Sequence, residues 1–287
     1  MHDFKSYNAL QAFFLRAVST RYAKRETRQI FHLTLDHYLG WSRTDFHLNQ
    51  AQKPDGDFVD NLDVITEQLL AGRPIQYVLG FAHFYGLKLK VNPAVLIPRP
   101  ETEGLVERVL SDRVVGCQSV IDIGTGSGAI ALAIQSQRLS WRVTAIDVSA
   151  PALAVARENA EVNRMPLVFE LLDICAVSQW GRLPQFDRIV SNPPYVQAVE
   201  KSQMQPNVLD YEPYVALFPP ADNPLLFYDA IADFALQKLR VGGKLYFEIN
   251  PYLAGETADL VCRKGFKIEW HKDLSGRYRF LTAKRLS

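Results

Sequence analysis

From residue 119 onward, short apolar runs alternate with helix-length amphipathic segments, and this alternation restricts the possible folds more than any other feature. It is the order expected of a parallel sheet whose strands are joined by helical crossovers. The predicted strands cover residues 119–123, 142–146, 167–172 and 186–191, and the predicted helices cover residues 129–137 and 150–163. The sequence therefore predicts a doubly wound α/β sheet.

A glycine-rich turn follows the first predicted strand. Its glycines permit positive φ angles and let a ligand touch the backbone, while the next helix begins with unpaired N–H groups. The turn consists of Gly124, Thr125, Gly126, Ser127 and Gly128. The second strand ends at Asp147, 19 residues after Gly128, where a carboxylate can bind ribose hydroxyls. Taken alone, such a turn also fits a dehydrogenase.

Two details argue against a dinucleotide at this turn. The spacing is Gly-x-Gly-x-Gly rather than Gly-x-Gly-x-x-Gly, and Asp122 lies on the strand just before it. A carboxylate there would repel a pyrophosphate, whereas it suits a cationic sulfonium ligand that carries an amino group. We therefore predict S-adenosylmethionine as the cofactor. Its adenine and ribose would lie near Asp147 and Asp173, and its methionine end near Asp122 and the glycines.

The sequence Asn-Pro-Pro-Tyr follows the fourth predicted strand, at residues 192–195. The Oδ1 atom of Asn192 can accept a hydrogen bond from a planar –NH2 group while staying neutral. Pro193 and Pro194 lack an N–H and have a fixed φ, so their carbonyls sit in a stiff frame. The ring of Tyr195 can lie against a flat, conjugated target. The motif fits a site for a planar amino group, and it equally fits a turn that merely ends a strand.

An extended segment, residues 95–103, precedes the predicted sheet. Pro98 and Pro100 bracket Arg99 and hold it in a loop, and Glu101 and Glu103 lie where the first turn of a helix favours acidic side chains. The segment is either a capped linker or a lid over a ligand. The residues alone favour the linker.

Residues 1–72 show apolar side chains at helical spacing and predict an all-helical bundle. Its histidines, His32, His37 and His47, lack the spacing of metal ligands, and no metal site is predicted. Alternating apolar residues over 75–91 predict a β-hairpin. We therefore divide the chain into a helical recognition domain (1–73), a hairpin linker (74–95) and a methyltransferase domain (96–287).

The C-terminal third completes the predicted sheet. A helix over residues 225–240 is expected to end at Gly242 and Gly243 as its C-cap, followed by a strand over 244–249. A helix over 252–264 and two strands, 265–271 and 277–284, predict an antiparallel closing hairpin. Glu248 at a strand end is expected to be structural or part of the pocket rim rather than a catalytic base.

Composition sets limits on partners. The formal charge is +1, without the basic excess of proteins that grip long nucleic acids, so no stable nucleic-acid partner is expected. Basic residues do crowd the C-terminus; we favour a solvated face over contact with an RNA-like surface. The three cysteines form no Cys-x-x-Cys pair, which predicts a reducing, cytoplasmic setting. No run approaches the roughly 18 apolar residues that span a bilayer, so no membrane contact is expected.

Four stretches together resemble the N5-glutamine methyltransferases that modify peptide chain release factors. They are residues 80–86 leading into 95–103, residues 122–129, residues 191–195 and residues 211–217. The resemblance covers the chain from about residue 60 to the end. The glycine turn marks only the broad methyltransferase class, and Asn-Pro-Pro-Tyr is shared with adenine-N6 and some guanine methyltransferases. The segment around Arg99 is specific to the family and favours the lid interpretation.

The resemblance implies a seven-stranded, Rossmann-like class I methyltransferase sheet with helices on both faces, preceded by a small helical bundle. It implies a monomer that methylates the Gly-Gly-Gln glutamine of class 1 release factors, held by Asn192, Pro193, Pro194 and Tyr195. The implied cofactor-binding residues are Arg99, Glu101, Asp122, Gly124, Thr125, Gly126, Ser127, Gly128, Asp147, Asp173, Ile174 and Asn192. Two positions depart from the family pattern: Ile174 replaces an aromatic found in some members, and Asn250 replaces a usual glycine.

Two other functions remain open at this point. An adenine-N6 or guanine-N2 nucleic-acid methyltransferase would use the same chemistry at Asn192, because exocyclic amines present the same face. The low net charge and the lack of a recognisable nucleic-acid module argue against it. A non-enzymatic cofactor-binding scaffold is the third possibility.

Overall fold

The computed structural model describes residues 4–112 and 116–286, which divide into two compact units. The first contains the described residues up to Gly80 together with Gln205–Tyr211. The second contains Phe81–Met204 and the described residues from Glu212 onward. The division after Gly80 differs from the three-part division at residues 73 and 95, which remains a prediction.

The first unit is built from helices, as predicted. They are α1 Tyr7–Ala17, α2 Lys24–Leu39, α3 Arg43–Asn49, α4 Gly56–Leu70, α5 Ile75–Leu79 and, later in the chain, α9 Pro206–Tyr211. Ser6 caps α1 by accepting a bond from the Ala9 N–H, and Ser42 and Asp45 form a reciprocal capping box on α3. These caps satisfy N–H groups that a short helix leaves unpaired.

Aromatic and aliphatic side chains form the core of the first unit. Phe31 is fully buried and its ring lies 5.7 Å from that of Phe14 and 6.5 Å from that of Phe58. These residues come from α1, α2 and α4, so one cluster joins three helices. The hydroxyl of Tyr211 donates to the Ala71 carbonyl at 3.0 Å, which fastens α9 to the end of α4.

The hairpin prediction over residues 75–91 is wrong in its first part. Residues 75–79 form helix α5, and the hairpin is confined to β1 Phe81–Phe84 and β2 Leu87–Lys90. Pro74 precedes the helix and its carbonyl accepts from the Tyr77 and Val78 N–H groups. Gly80 ends it with a φ of 75°. A single helical turn is too short for its apolar spacing to be told from strand alternation.

The second unit carries one seven-stranded sheet, which confirms the predicted fold class. Its strands are β3 Ser119–Ile123, β4 Arg142–Asp147, β5 Val168–Leu171, β6 Phe186–Ser191, β7 Leu239–Glu248, β8 Phe266–Lys272 and β9 Tyr278–Arg285. The order is β5-β4-β3-β6-β7-β9-β8. Strands β3 to β7 pair in parallel, and β8 and β9 form the predicted antiparallel closing hairpin.

Helices cover both faces of this sheet. They are α6 Glu103–Ser111, α7 Ala129–Gln137, α8 Ala150–Val162, α11 Leu226–Lys238 and α12 Ala254–Arg263, while the short helix α10 Tyr214–Leu217 contributes to the cleft wall. Successive residues of β3 point to opposite faces: Ile121 packs in a cluster with α11 and α12, and Val120 packs in a cluster with α6 and α7. A strand buried on both sides explains the continuous apolar runs in the sequence. Among the described residues, no helix combines the length and apolar character needed to cross a bilayer.

The glycine pair at 242–243 lies within a strand, which corrects the predicted helix C-cap. Helix α11 ends at Lys238, and β7 begins at the next residue and runs for 10 residues. A Cβ on Gly243 would lie 2.8 Å from the Arg240 carbonyl oxygen and 2.9 Å from that of Asp187. The glycine is therefore required by a close backbone approach where the β6–β7 register shifts.

We expect Gly243→Ala to lower the free energy of unfolding by about 1–3 kcal/mol, because backbone must move to admit the methyl group. Gly255→Ala is the matched control: it lies in α12 with nothing within 4 Å of the added Cβ, and we expect it to be neutral or to stabilise by up to about 1 kcal/mol. Urea unfolding measures both. Equal effects at the two positions would contradict the steric explanation.

Candidate active site

A cleft opens at the carboxyl ends of the parallel strands. Its empty space, including the open mouth, is about 830 Å³. Strand β3 lies between β4 and β6, so the connections after β3 and after β5 lead to opposite sides of β3. Open α/β sheets bind ligands at the carboxyl ends of strands where the strand order reverses in this way. The lining includes Gly124, Asp147, Asp173, Ile174, Asn192, Pro193 and Pro194.

The other predicted site residues lie outside the cleft lining. They are Arg99, Glu101, Asp122, Thr125, Gly126, Ser127, Gly128 and Tyr195. Some of them contact residues that do line the cleft, as described below. Their own contacts with a ligand remain predictions. Apolar wall residues missed in the sequence include Leu96, Val215 and Phe227, which come from segments far apart in the chain.

Asp147 is held in place by the glycine turn. Its Oδ2 accepts from the Gly126 N–H at 2.9 Å, and its Oδ1 accepts from the Ser149 N–H at 2.9 Å. Burial raises the pKa of Asp147, and these backbone N–H groups oppose the rise. Each carboxylate oxygen has further lone-pair capacity, so Asp147 can also accept hydroxyl groups at the cleft wall.

The glycines of the turn serve different purposes. Gly124 lines the cleft with a φ of 73°, and a Cβ there would meet no atom within 4 Å. Gly128 also has a positive φ, but its Cβ would lie 3.2 Å from the side chains of Ala156 and Leu132. Gly128 therefore permits α7 and α8 to pack closely, while Gly124 leaves free space beside a ligand.

Asp122 is fully buried behind the turn. Its Oδ2 accepts from the Thr125 hydroxyl at 2.7 Å, and its Oδ1 has no hydrogen-bond partner among the described residues. Burial raises the pKa of this carboxyl to about 7, against the opposing effect of the Thr125 bond. A buried oxygen without a partner is costly unless a cationic or hydrogen-bonding group reaches it.

These residues fit a nucleoside joined to a cationic chain. Asp147 offers acceptors for sugar hydroxyls, and Ile174 supplies an apolar wall. The Trp180 indole donates to the Ile174 carbonyl at 3.0 Å and is itself buried, which fixes that wall from behind. Asp122 supplies negative charge behind the glycine turn. No group of three or more His, Cys, Asp or Glu among the described residues is placed to hold a metal ion.

Asn192 and Tyr195 share a polar network with Thr102, which the sequence did not single out, and with Glu248, which was expected to be structural or part of the pocket rim. The Asn192 Nδ2 donates to the Thr102 Oγ1 at 3.3 Å, and that hydroxyl donates to the Glu248 Oε2 at 2.8 Å. The Tyr195 hydroxyl donates to the Glu248 Oε1 at 2.9 Å. Arg279 lies 3.8 Å from the same carboxylate. Thr102 and Glu248 are 146 residues apart, so no local pattern links them.

Asn250 anchors the end of the Asn-Pro-Pro-Tyr segment. Its side chain is fully buried. Its Nδ2 donates to the Tyr195 carbonyl at 2.9 Å and to the Glu200 Oε2 at 2.7 Å, and its Oδ1 accepts from the Tyr252 N–H at 2.8 Å. A glycine could make none of these side-chain bonds. The Asn250 side chain therefore holds the segment in place without lining the cleft.

Arg99 uses its guanidinium to bind Glu212. The two groups are 2.6 Å apart, and the other Glu212 oxygen accepts from the Ile97 N–H at 3.1 Å. The Glu212 side chain is only 1% exposed. This carboxylate joins the segment that contributes Leu96 to the cleft with the segment that contributes Pro213. The Arg99 segment thus forms a cleft wall, and its predicted contact with cofactor remains a prediction.

The comparisons with known proteins agree with this geometry. The family described as "Methyltransferase small domain" matches residues 102–209, and "PrmC N-terminal domain" matches residues 13–80. The release factor glutamine methyltransferase of Flavobacterium psychrophilum is 38% identical, over 93% of this chain and 95% of its own length. That of Bacteroides thetaiotaomicron is 36% identical, over 97% of this chain and 100% of its own.

The chain belongs to the release factor glutamine methyltransferase family. It is therefore an enzyme of the methyltransferase class, as the resemblance implied. The crystal structure of a methyltransferase from Pyrococcus furiosus shares the fold: it has a TM-score of 0.51, is 19% identical, and covers 77% of this chain and 98% of that one.

We expect Asp122→Asn to change how stability depends on pH. The pKa of an unfolded aspartate is about 3.8, whereas the pKa of folded Asp122 is about 7. Between these two pKa values the unfolded state is ionised at this residue while the folded state keeps its proton. The free energy of unfolding therefore falls as pH rises, by at most about 4 kcal/mol for a pKa difference of about three units. Asp122→Asn should remove this fall and raise the melting temperature at pH 8. Identical pH profiles for variant and wild type would contradict it.

Proposed function

We propose that this chain transfers a methyl group from S-adenosylmethionine to the side-chain amide nitrogen of the glutamine in the Gly-Gly-Gln loop of class 1 peptide chain release factors. The observation that carries the proposal is Asn192: a neutral amide in the cleft wall, with its nitrogen tied to Thr102 and its oxygen left as an acceptor. The relatives named release factor glutamine methyltransferases support this choice of substrate.

The amide nitrogen of glutamine is a weak nucleophile because its lone pair is conjugated with the carbonyl. Bound in the cleft, the cofactor would supply an electrophilic methyl group on a positively charged sulfur. The protein's contribution is orientation: the Asn192 Oδ1 and the Pro193 carbonyl each accept one N–H of the substrate amide. With both N–H groups held, the nitrogen can present only one face to the cleft. Forming its bond to the methyl carbon would break the carbon–sulfur bond, leave a neutral thioether, and release one N–H proton to water.

Apolar surface around this point limits water. Leu96, Ile174, Pro194 and Phe227 all line the cleft and offer no competing donor from their side chains. A substrate amide that enters gives up water and gains the two acceptors at 192 and 193. Such replacement of solvent by fixed dipoles favours a reaction in which charge becomes less concentrated.

The cofactor-binding roles are part of the same proposal. Asp147 would bind the ribose hydroxyls, Ile174 would contact the adenine, and the turn from Gly124 to Gly128 would lie along the methionine end. Asp122 would balance the cationic end from behind the turn. The neighbouring carboxylates Asp122 and Asp147 interact unfavourably, since Asp147 further raises the pKa of Asp122, and a bound cation would relieve that interaction.

We assign recognition of the release factor to the first unit. It is a separate compact unit, and it overlaps the match to "PrmC N-terminal domain". We place the protein in the cytoplasm, where its substrate acts, and propose that it works as a monomer.

The test of substrate class is a transfer assay with isotope-labelled cofactor. Candidate acceptors are a class 1 release factor, the same factor with its Gly-Gly-Gln glutamine changed to alanine, and methyl-free RNA and DNA. We expect label only on the unchanged release factor, with one methyl group located on the Gly-Gly-Gln peptide by mass spectrometry. Label on the nucleic acids and none on the release factor would support an exocyclic-amine methyltransferase instead. No labelled product from any acceptor would contradict the proposal.

We expect Asn192→Ala to reduce kcat by about 10²- to 10³-fold, the usual cost of losing an oriented polar group at a reacting centre. Cofactor affinity, measured by calorimetry, should change little, because Asp147 and the glycine turn remain. Asn192→Asp should be less damaging, since a carboxylate still accepts a hydrogen bond. Full turnover by Asn192→Ala would remove Asn192 from the mechanism.

A further inference from the structure

The Thr102 hydroxyl takes part in two side-chain hydrogen bonds, and the direction of each can be deduced. A threonine hydroxyl has one hydrogen to donate and lone pairs to accept with. Here the hydrogen is used on the Glu248 Oε2 at 2.8 Å. The same oxygen lies 3.3 Å from the Asn192 side-chain nitrogen, so it can take part in that contact only as an acceptor.

We propose that Glu248 and Thr102 are positioning residues that fix which end of the Asn192 amide faces the substrate. An asparagine amide can rotate by half a turn and exchange its oxygen and nitrogen with little change in shape. An acceptor at Thr102 binds only the Nδ2 end, which leaves Oδ1 for the cleft. This inference rests on the proposed function, because it explains how Asn192 is kept as an acceptor.

The direction of the chain of bonds follows from Glu248. Burial raises the pKa of Glu248, while the Thr102 and Tyr195 hydroxyls and Arg279 oppose that rise. In its ionised form this carboxylate only accepts, so both hydroxyls that reach it donate: Thr102 to Oε2 and Tyr195 to Oε1. Without Glu248, the Thr102 hydrogen could turn toward Asn192 and hold the Oδ1 end instead. Glu248 therefore determines the orientation of a side chain that it does not touch.

The surroundings of Glu248 hold it in this role. Its side chain is 1% exposed, and Tyr228 donates to its backbone carbonyl at 3.1 Å, which fixes the end of β7. Two hydroxyl donors and Arg279 at 3.8 Å compensate the buried charge. Tyr195 is held by the same carboxylate, so two residues of the Asn-Pro-Pro-Tyr motif depend on one buried group.

The first test compares Thr102→Val with Thr102→Ser. Valine keeps the shape and removes the hydroxyl, whereas serine keeps the hydroxyl and removes the methyl group. We expect Thr102→Val to lower kcat by about three- to tenfold, the factor that one net hydrogen bond supplies. The KM for the release factor and the affinity for cofactor should stay within about twofold. Thr102→Ser should retain wild-type kcat within about twofold.

The second test asks whether Thr102 acts through the Asn192 nitrogen. In an Asn192→Asp background there is no Nδ2, so Thr102→Val should no longer lower kcat. If Thr102 only supports the fold, the same factor will be lost in both backgrounds. Equal losses would overturn the proposal, as would a Thr102→Val enzyme with wild-type kcat or a Thr102→Ser enzyme as impaired as Thr102→Val.

A measurement independent of activity completes the test. The side-chain NH2 resonances of Asn192, assigned by their loss in Asn192→Asp, should shift in Thr102→Val and not in Thr102→Ser. If Thr102→Val does not fold, Glu248→Gln provides the same readout, because a carboxamide has one acceptor oxygen for two hydroxyls. Unchanged Asn192 resonances in whichever variant folds would overturn the proposal. Failure of wild-type enzyme to methylate a release factor would instead contradict the proposed function, and the resonances separate the two outcomes.

Discussion

A carboxylate buried away from water must be matched by donors or positive charge, and this requirement at Glu248 organises the reactive end of the cleft. The donors come from separate parts of the chain: Thr102 from the turn before α6, and Tyr195 from the loop after β6. Strand β7 supplies the carboxylate itself. Satisfying one buried group therefore brings three segments into register, and Asn192 is oriented as a consequence. The cost of leaving Glu248 unpaired maintains the geometry between catalytic cycles.

A second buried carboxylate joins separate segments at the wall of the cleft. Glu212 is buried and accepts from Arg99 and from the Ile97 backbone, so it joins two segments whose neighbouring residues line the cleft. The Asn250 side chain anchors the loop that contains Tyr195 by donating to the Tyr195 carbonyl. The parallel strands bring the site residues to one edge, but buried polar contacts between distant segments set their final positions. Such contacts are most effective where water is excluded, because the local dielectric is low.

The sequence predicted secondary structure correctly where a local pattern determines it. Strand β3 and helix α7 have their predicted bounds, because the glycine turn between them marks where the apolar strand ends and the helix begins. The prediction was wrong where one sequence pattern fits two structures. Residues 75–79 form one helical turn rather than part of a hairpin, and Gly243 permits a close strand contact rather than ending a helix. Glu248 was expected only to be structural or part of the pocket rim, and nothing in the sequence linked it to Thr102, since the two residues are 146 positions apart.

A neutral side chain at position 192 suits a cleft that is already acidic. Asp147 and Asp173 line it and Asp122 lies buried nearby. Burial already raises the pKa of Asp122 and of Asp147, so a further carboxylate would add repulsion to these two groups. An amide avoids that cost but introduces another, because its two ends differ and only one can accept from the substrate. The Thr102–Glu248 pair resolves this ambiguity by placing negative charge behind Asn192, where Arg279 and two hydroxyls compensate it. Charge needed for orientation is thus kept apart from the charge that lines the cleft.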